Sequence, residues 1–178
     1  IELLLKEKSW VQAIRNLQEW GGFLLLDKQL QADQKWKRRL QWASRLGIQP
    51  LTALTVGAEN SIALAERLQL PKHQQKLLTE TIELESILSS IIKTDNYLAW
   101  LPSRWCLELE RNNLNPETVA IVICKGVPMW RQLFRWWSQW RLLKSPISAD
   151  ELIKNGWIPG PRLGNELKRL RLESIDKK

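Results

Sequence analysis

Histidine occurs once, cysteine twice, and tyrosine and methionine once each in the 178 residues. A structural zinc site takes about four clustered nitrogen or sulfur ligands. His73, Cys106 and Cys124 are scattered and neither cysteine belongs to a CxxC pair, so no metal site is expected. His73 has no Ser, Cys or Asp partner nearby, so no nucleophile–base pair and no catalytic residue is expected in this chain. Two thiols inside apolar helical stretches are expected to be reduced core residues of a cytoplasmic protein. No apolar run reaches the ~18 residues a membrane span requires, and no membrane partner is expected. The opening IELLLKEKSW has no basic leader and no small-residue cleavage site, so it is not read as a signal peptide. It lacks a start Met and begins inside a helix-like pattern; the chain is read as a piece of a longer protein.

Strand-like alternation is nearly absent too. It occurs only at Val119–Ile123, and Asn115-Pro116 just before that stretch makes a buried helix the expectation. What is present is apolar residues at 44%, charged residues at 26% and eleven tryptophans, which suffices for a packed interior and excludes a disordered chain. The net charge is +8, so anionic partners are indicated. The excess is uneven. Residues 1–124 hold 15 Lys+Arg against 14 Asp+Glu, whereas residues 125–178 hold 12 against 5, a balance of +7.

Helical punctuation recurs along the chain. Ser9 is expected to cap a helix with Trp10, Ile14 and Leu17 on one face, ended by Gly21-Gly22. Asp33 is expected to open a helix that buries Trp36, Leu40, Ala43 and Leu46 and stops at Gly47. A third runs from about Glu59 to Leu70, and Pro71 begins a long one through Ile91. The polar break Lys93-Thr94-Asp95-Asn96 is the expected subdomain boundary, dividing a body-like part, 1–93, from a basic tail-like part, 94–178. Ser103 is expected to cap a short helix ending near Asn112-Asn113, and Met129–Leu143 to form one long helix. The fold expected is all-α: an array of about nine or ten short helices ending in a helix–hairpin–helix-like element.

That final element is Ile147–Leu172, ISADELIKNGWIPGPRLGNELKRLRL. Ser148 and Glu151 have capping-box spacing, Gly156 is a helix stop, and Pro161 suits the first turn of a second helix. Gly160 permits unusual backbone angles, and Gly164 would let another backbone come close. The N–H groups at the second helix start, backed by the helix dipole, make an anion site. Arg162, Lys168, Arg169 and Arg171 would supply mobile charge around it. A plain αα-turn whose glycines serve packing is the alternative.

Ile147–Leu172 resembles the C-terminal tail of class II tRNA nucleotidyltransferases, the CCA-adding enzymes and the related bacterial poly(A) polymerases. The residues that carry the resemblance are Ile147, Asp150, Leu152, Ile153, Gly156, Pro159, Gly160, Pro161, Leu163, Gly164, Leu167 and Leu170. Ala149 departs from it, where the family often has Gly, and Trp157 is larger than usual. Upstream, Ala63–Leu70 with Pro71 is similar to the family's body region, and the first 27 residues to the stretch after its neck. The resemblance implies a tRNA-binding region that touches the elbow and serves an N-terminal catalytic head and neck of the same parent protein. It implies Mg²⁺ and CTP or ATP as cofactor and substrates of that head. No Asp-x-Asp pair and no Glu-Asp-x-x-Arg motif occurs in this chain, so it is expected to be inactive alone.

Met129–Leu143, MWRQLFRWWSQWRLL, interleaves Arg131, Arg135 and Arg141 with four tryptophans. Trp130, Leu133, Phe134, Trp137 and Trp140 share one helical stripe and are expected in the core, with Trp136 at its edge. The arginines are the expected RNA contacts. Lys35, Lys37, Arg38 and Arg39 are expected on a solvated face, opposite Trp36 and Leu40. The RNA-binding residues expected are thus Arg131, Arg135, Arg141, Gly160, Pro161, Arg162, Gly164, Lys168, Arg169 and Arg171. Two alternatives stand beside tRNA binding: a helix–hairpin–helix module for nucleic acid in general, and a helical protein-interaction scaffold.

Overall fold

The computed structural model describes residues 2–94, 96–111 and 113–177, the side chains of Glu2, Lys6 and Thr94 excepted. Asp95 of the polar break and Asn112 of the expected helix end lie outside the described residues. Among those described there are twelve α-helices, three short 3₁₀ helices and no strand. The extra helices beyond the nine or ten expected are short ones without a full amphipathic period, such as α3 (Lys28–Ala32) and α5 (Pro50–Thr55).

The chain forms two compact units that interleave in sequence. The first comprises residues 1–90 and 115–130; the second comprises 91–114 and 131–178. The change at 90–91 lies near the polar break of the sequence, whereas the return of 115–130 to the first unit has no counterpart there. That return is driven by burial. Helix α9 (Pro116–Lys125) starts where Asn115 accepts from Glu117 N–H, with Pro116 in the first turn. Its residues from Thr118 to Cys124 are all buried, so it is the central helix of its unit, and the helical reading of Val119–Ile123 holds.

Helix α4 (Trp36–Leu46) packs on α9 and α5. All four of its expected apolar positions, Trp36, Leu40, Ala43 and Leu46, are buried, and Gly47 ends it in the left-handed region at φ 70°. Its start differs from expectation. The helix begins at Trp36, and Asp33 accepts from Lys35 N–H and pairs with Arg39. Arg39 is therefore not on the solvated face: it is 3% exposed, and its Nε also donates to Ala53 O at 2.6 Å. A helical wheel cannot reveal this, because the partners come from the preceding loop and from α5.

Other starts also shift. Ser9 precedes α2 (Trp10–Glu19) without a side-chain capping bond, while Asp27 and Asn60 cap α3 and α6 (Ser61–Arg67). Pro71, expected to begin the long helix, stands immediately before α7 (Lys72–Thr94). In the second unit Ser103 lies inside α8 (Pro102–Arg111), donating its N–H to Asp176 of α12 (Pro161–Asp176). The expected long helix at 129–143 is two pieces, α10 (Trp130–Ser138) and a 3₁₀ turn, Trp140–Leu142. Within α10 itself the buried face is centred on Leu133 and Trp136 rather than on the expected stripe. Trp136, placed at the stripe's edge by sequence, is 3% exposed, while Trp130, Phe134 and Trp137 are only half-buried.

Cys106 and Cys124 are buried free thiols, each pushed up to about 12, first by burial. Glu110 raises Cys106 further. Both behave as small core hydrophobes.

Candidate nucleic-acid interface

The C-terminal hairpin joins α11 (Ala149–Lys154) to α12 in the second unit. Local signals build it. Glu151 N–H donates to Ser148 Oγ at 3.2 Å, and Ser148 N–H donates to Glu151 Oε2 at 2.9 Å, so both halves of the capping box form. At the other end Gly156 takes φ 92°. Its N–H reaches Ile153 O at 3.0 Å, and the Trp157 N–H reaches Leu152 O at 3.1 Å. This pair of bonds is a Schellman stop, and it needs a residue comfortable at positive φ. Gly160 sits at φ 154° and ψ −173°, a region open essentially to glycine. Pro161 then starts α12, with Leu163 as its buried anchor.

The start of α12 carries no side-chain cap. Its sixteen residues align their peptide dipoles behind the first-turn N–H groups. A Cβ built on Gly160 or Gly164 would meet nothing within 4 Å, and both residues are exposed. The close approach that Gly164 allows is thus not used by the protein's own backbone.

The four cations assigned to this element divide into two kinds. Arg162 and Lys168 are exposed, and among the described residues neither forms an ion pair. Arg169 is exposed but held by its own helix: Glu166 lies 2.6 Å away, and Glu173 takes the other side of the guanidinium. The Arg169 bond holds the Glu166 carboxyl below its ordinary value, and the Arg169 guanidinium is raised in turn. Arg171 is directed inward. It donates to both Glu110 carboxylate oxygens at 2.7 Å, to Leu143 O at 2.8 Å and to Trp140 O at 3.0 Å. Its expected role as a mobile phosphate contact is replaced by a structural one, since four of its five N–H donors are engaged by these groups.

Glu110 receives a third donor, Trp136 Nε1, at 3.3 Å. Burial pushes the Glu110 carboxyl up. The bonds and charge of Arg171, with smaller help from Trp136 and Lys168, outweigh that and hold it below the usual range. On α10, Arg131 and Arg135 are exposed, and Arg135 borders an open cleft of about 600 Å³ with Trp140, Leu143 and Ile175. Arg141 folds back: its Nε donates to Trp137 O at 2.5 Å, and its guanidinium lies 5.7 Å from the Trp137 ring.

Trp157 and Ile158, at the hairpin tip, are exposed and are not among the contacts expected from sequence. The available signal was the pair of large apolar residues between two turn glycines.

No His/Cys/Asp/Glu group that could hold a metal ion occurs among the described residues, and among them no helix is long and apolar enough to cross a membrane. Comparison with family models, with curated proteins and with solved structures gives no match.

Proposed function

We propose that this chain is the tRNA-gripping C-terminal region of a tRNA nucleotidyltransferase. On this reading it holds the backbone of the folded upper part of tRNA while a separate N-terminal head adds CCA, CC, A or poly(A) to the 3′ end. The observation that carries the reading is the open start of α12: an uncapped sixteen-residue helix, empty space above Gly160 and Gly164, exposed Arg162 in the first turn and exposed Lys168 further along the helix.

A phosphate over Gly160–Gly164 would accept from first-turn N–H groups that have no side-chain partner, and would meet the positive end of the helix dipole. The absent Cβ atoms let the sugar–phosphate chain approach the backbone. Arg162 and Lys168 would then neutralise neighbouring phosphates and release counterions. Such contacts fix position without reading bases, as suits the deep, narrow major groove of helical RNA. Arg131 and Arg135 are further candidate contacts on α10. Mg²⁺ and CTP or ATP belong to the head on this reading, and no step of nucleotidyl transfer is assigned to this chain.

The test is fluorescence anisotropy with labelled tRNA and with duplex DNA of similar length, between about 50 and 200 mM salt. The expected result is tighter binding of tRNA, with log affinity falling linearly with log salt. Arg162→Ala and Lys168→Ala should each weaken binding by about 1 kcal/mol and lower the slope by about one counterion. Equal binding of both nucleic acids would favour a general helix–hairpin–helix module. Absence of salt-sensitive binding to either would leave a protein-interaction scaffold.

A further inference from the structure

The tip of the hairpin carries a second feature. Ile158 is 81% exposed and Trp157 is 37% exposed, side by side between Gly156 and Gly160. An isolated exposed apolar residue is ordinary on a protein surface. Here a large aromatic and a β-branched residue sit together at a rigid turn, and Ile153, at 40% exposure, extends the apolar surface down α11. The turn is rigid because the Schellman bonds fix Gly156 and Trp157, and because Pro159 and Pro161 lock their own φ angles. Rigid presentation keeps the ordering cost of a contact low.

The charges nearest the tip in sequence are the cations Lys154 and Arg162. The first carboxylates on either side, Glu151 and Glu166, lie further along the two helices and are engaged by the Ser148 N–H and by Arg169. An apolar protein partner would gain nothing from the two cations, whereas an anionic chain carrying flat apolar groups would match both parts. Nucleic acid with an unstacked base is such a chain: phosphates for the cations, a π face for the indole. Within an intact stem the base faces are already stacked and the grooves of an A-form helix offer no such face.

We propose that the Trp157–Ile158 tip is a stacking platform for an unpaired, unstacked RNA base, next to the phosphate-holding start of α12. This rests on the nucleic-acid reading above and adds the class of RNA that the site selects: loops, bulges or open ends rather than uninterrupted duplex. Trp157 supplies the flat face and Ile158 the edge that bears on the base or its sugar.

The test uses the full chain and two RNA probes of equal length and charge, a blunt duplex and a stem with an unpaired loop, compared at matched salt concentrations between about 50 and 200 mM. The wild type should prefer the loop RNA. Trp157→Leu keeps an apolar contact to the hairpin but removes the π face; it should lose about tenfold in affinity for loop RNA and leave duplex affinity unchanged. Trp157→Phe should recover most of that loss. Ile158→Ala should give a smaller loss confined to loop RNA. Salt slopes should not change in any of the three, since no cation is removed. Circular dichroism establishes that the variants are folded.

Three results would overturn the proposal. Unchanged loop-RNA affinity in Trp157→Leu, while Arg162→Ala still weakens binding, removes the tip and leaves the phosphate reading intact. Equal losses on duplex and loop RNA would make Trp157 a packing residue. Preferential binding of wild type to vesicles containing phosphatidylserine, abolished by Ile158→Ala, would make the tip a membrane wedge. If the wild type binds no RNA at all, the underlying reading fails first, and that outcome is distinct from the other three.

Discussion

Arg171 and Glu110, 61 residues apart in the chain, meet in a two-pronged ion pair with both N···O distances at 2.7 Å. The pair ties α12 to α8 within one unit, and Trp136 Nε1 adds a third donor to the same carboxylate. Arg171→Ala would leave a half-buried carboxylate with one weak donor. The expected cost is about 2–3 kcal/mol in urea denaturation. Arg171→Lys should not restore it, because an ammonium cannot reproduce the fork. The pH dependence follows from the lowered Glu110 value. A depressed carboxyl contributes stability that is fully present above the unfolded glutamate value of about 4.3 and is lost as pH falls through the folded value. Glu110→Gln should flatten that acid limb of the stability curve.

Gly164 separates folding from binding by sign. It lies in α12 with no positive φ and with open space around its missing Cβ, so alanine fits. Gly164→Ala should stabilise the fold by about 0.4–1 kcal/mol, through the lower entropy of the unfolded chain. On the phosphate reading the same methyl obstructs the RNA backbone and lowers tRNA affinity. Gly156→Ala should instead destabilise by about 1 kcal/mol, because φ is 92° there. A Gly164→Ala protein that is more stable and binds tRNA as well as wild type would make the hairpin a packing turn.

A Cβ at Gly57 would come within 2.2 Å of Arg39 Nη2. A surface arginine would swing aside, but this guanidinium is pinned by Asp33 at 2.5 Å and Ala53 O at 2.6 Å in a buried position. Gly57→Ala is expected to cost about 1–3 kcal/mol. Combined with Arg39→Ala it should cost less than the two single changes together, since the clash and the lost bonds share one side chain. Additive losses in a double-mutant cycle would refute the link.

Residues 1–93 alone are expected not to unfold cooperatively. The first unit includes α9, whose residues Thr118 to Cys124 are all buried. Removing that helix strips α4 and α5 of an apolar partner. Thermal melts of 1–93 should be broad and non-cooperative. A chain of 1–130 in which a short linker replaces 91–114 should melt sharply.

Much of the fold was legible because helix boundaries are local. Asn115-Pro116, the Ser148–Glu151 box, Gly47 and Gly156 act through bonds spanning two to five residues, and each stands where it was read. The apolar face of α4 was legible for the same reason: its spacing follows from 3.6 residues per turn. Short helices such as α3 and α5 were missed because five or six residues cannot display that period.

The candidate site was legible only in part. Gly160, Pro161 and Gly164 are identified by the turn they make, so their positions followed from sequence. Arg169 was separable from Arg162 and Lys168 in the sequence, because Glu166 and Glu173 stand at helical spacing on the same helix. Arg171 was not, because its partner Glu110 is on another helix, 61 residues away.

By itself the sequence determined an all-helical chain, a basic C-terminal third and a hairpin held by a capping box and two turn glycines. Each of these depends on composition or on contacts within a few residues. The tertiary structure decided which tryptophans are buried, that Arg39 and Arg171 serve the interior, and that α9 belongs with the first unit. The partners concerned lie 14 residues away for Arg39 and Ala53, 26 for Trp136 and Glu110, and 61 for Arg171 and Glu110. No local pattern encodes such pairings. They follow from how helices exclude water from one another's apolar faces, and from the need of every charge carried inward to find its counter-charge there.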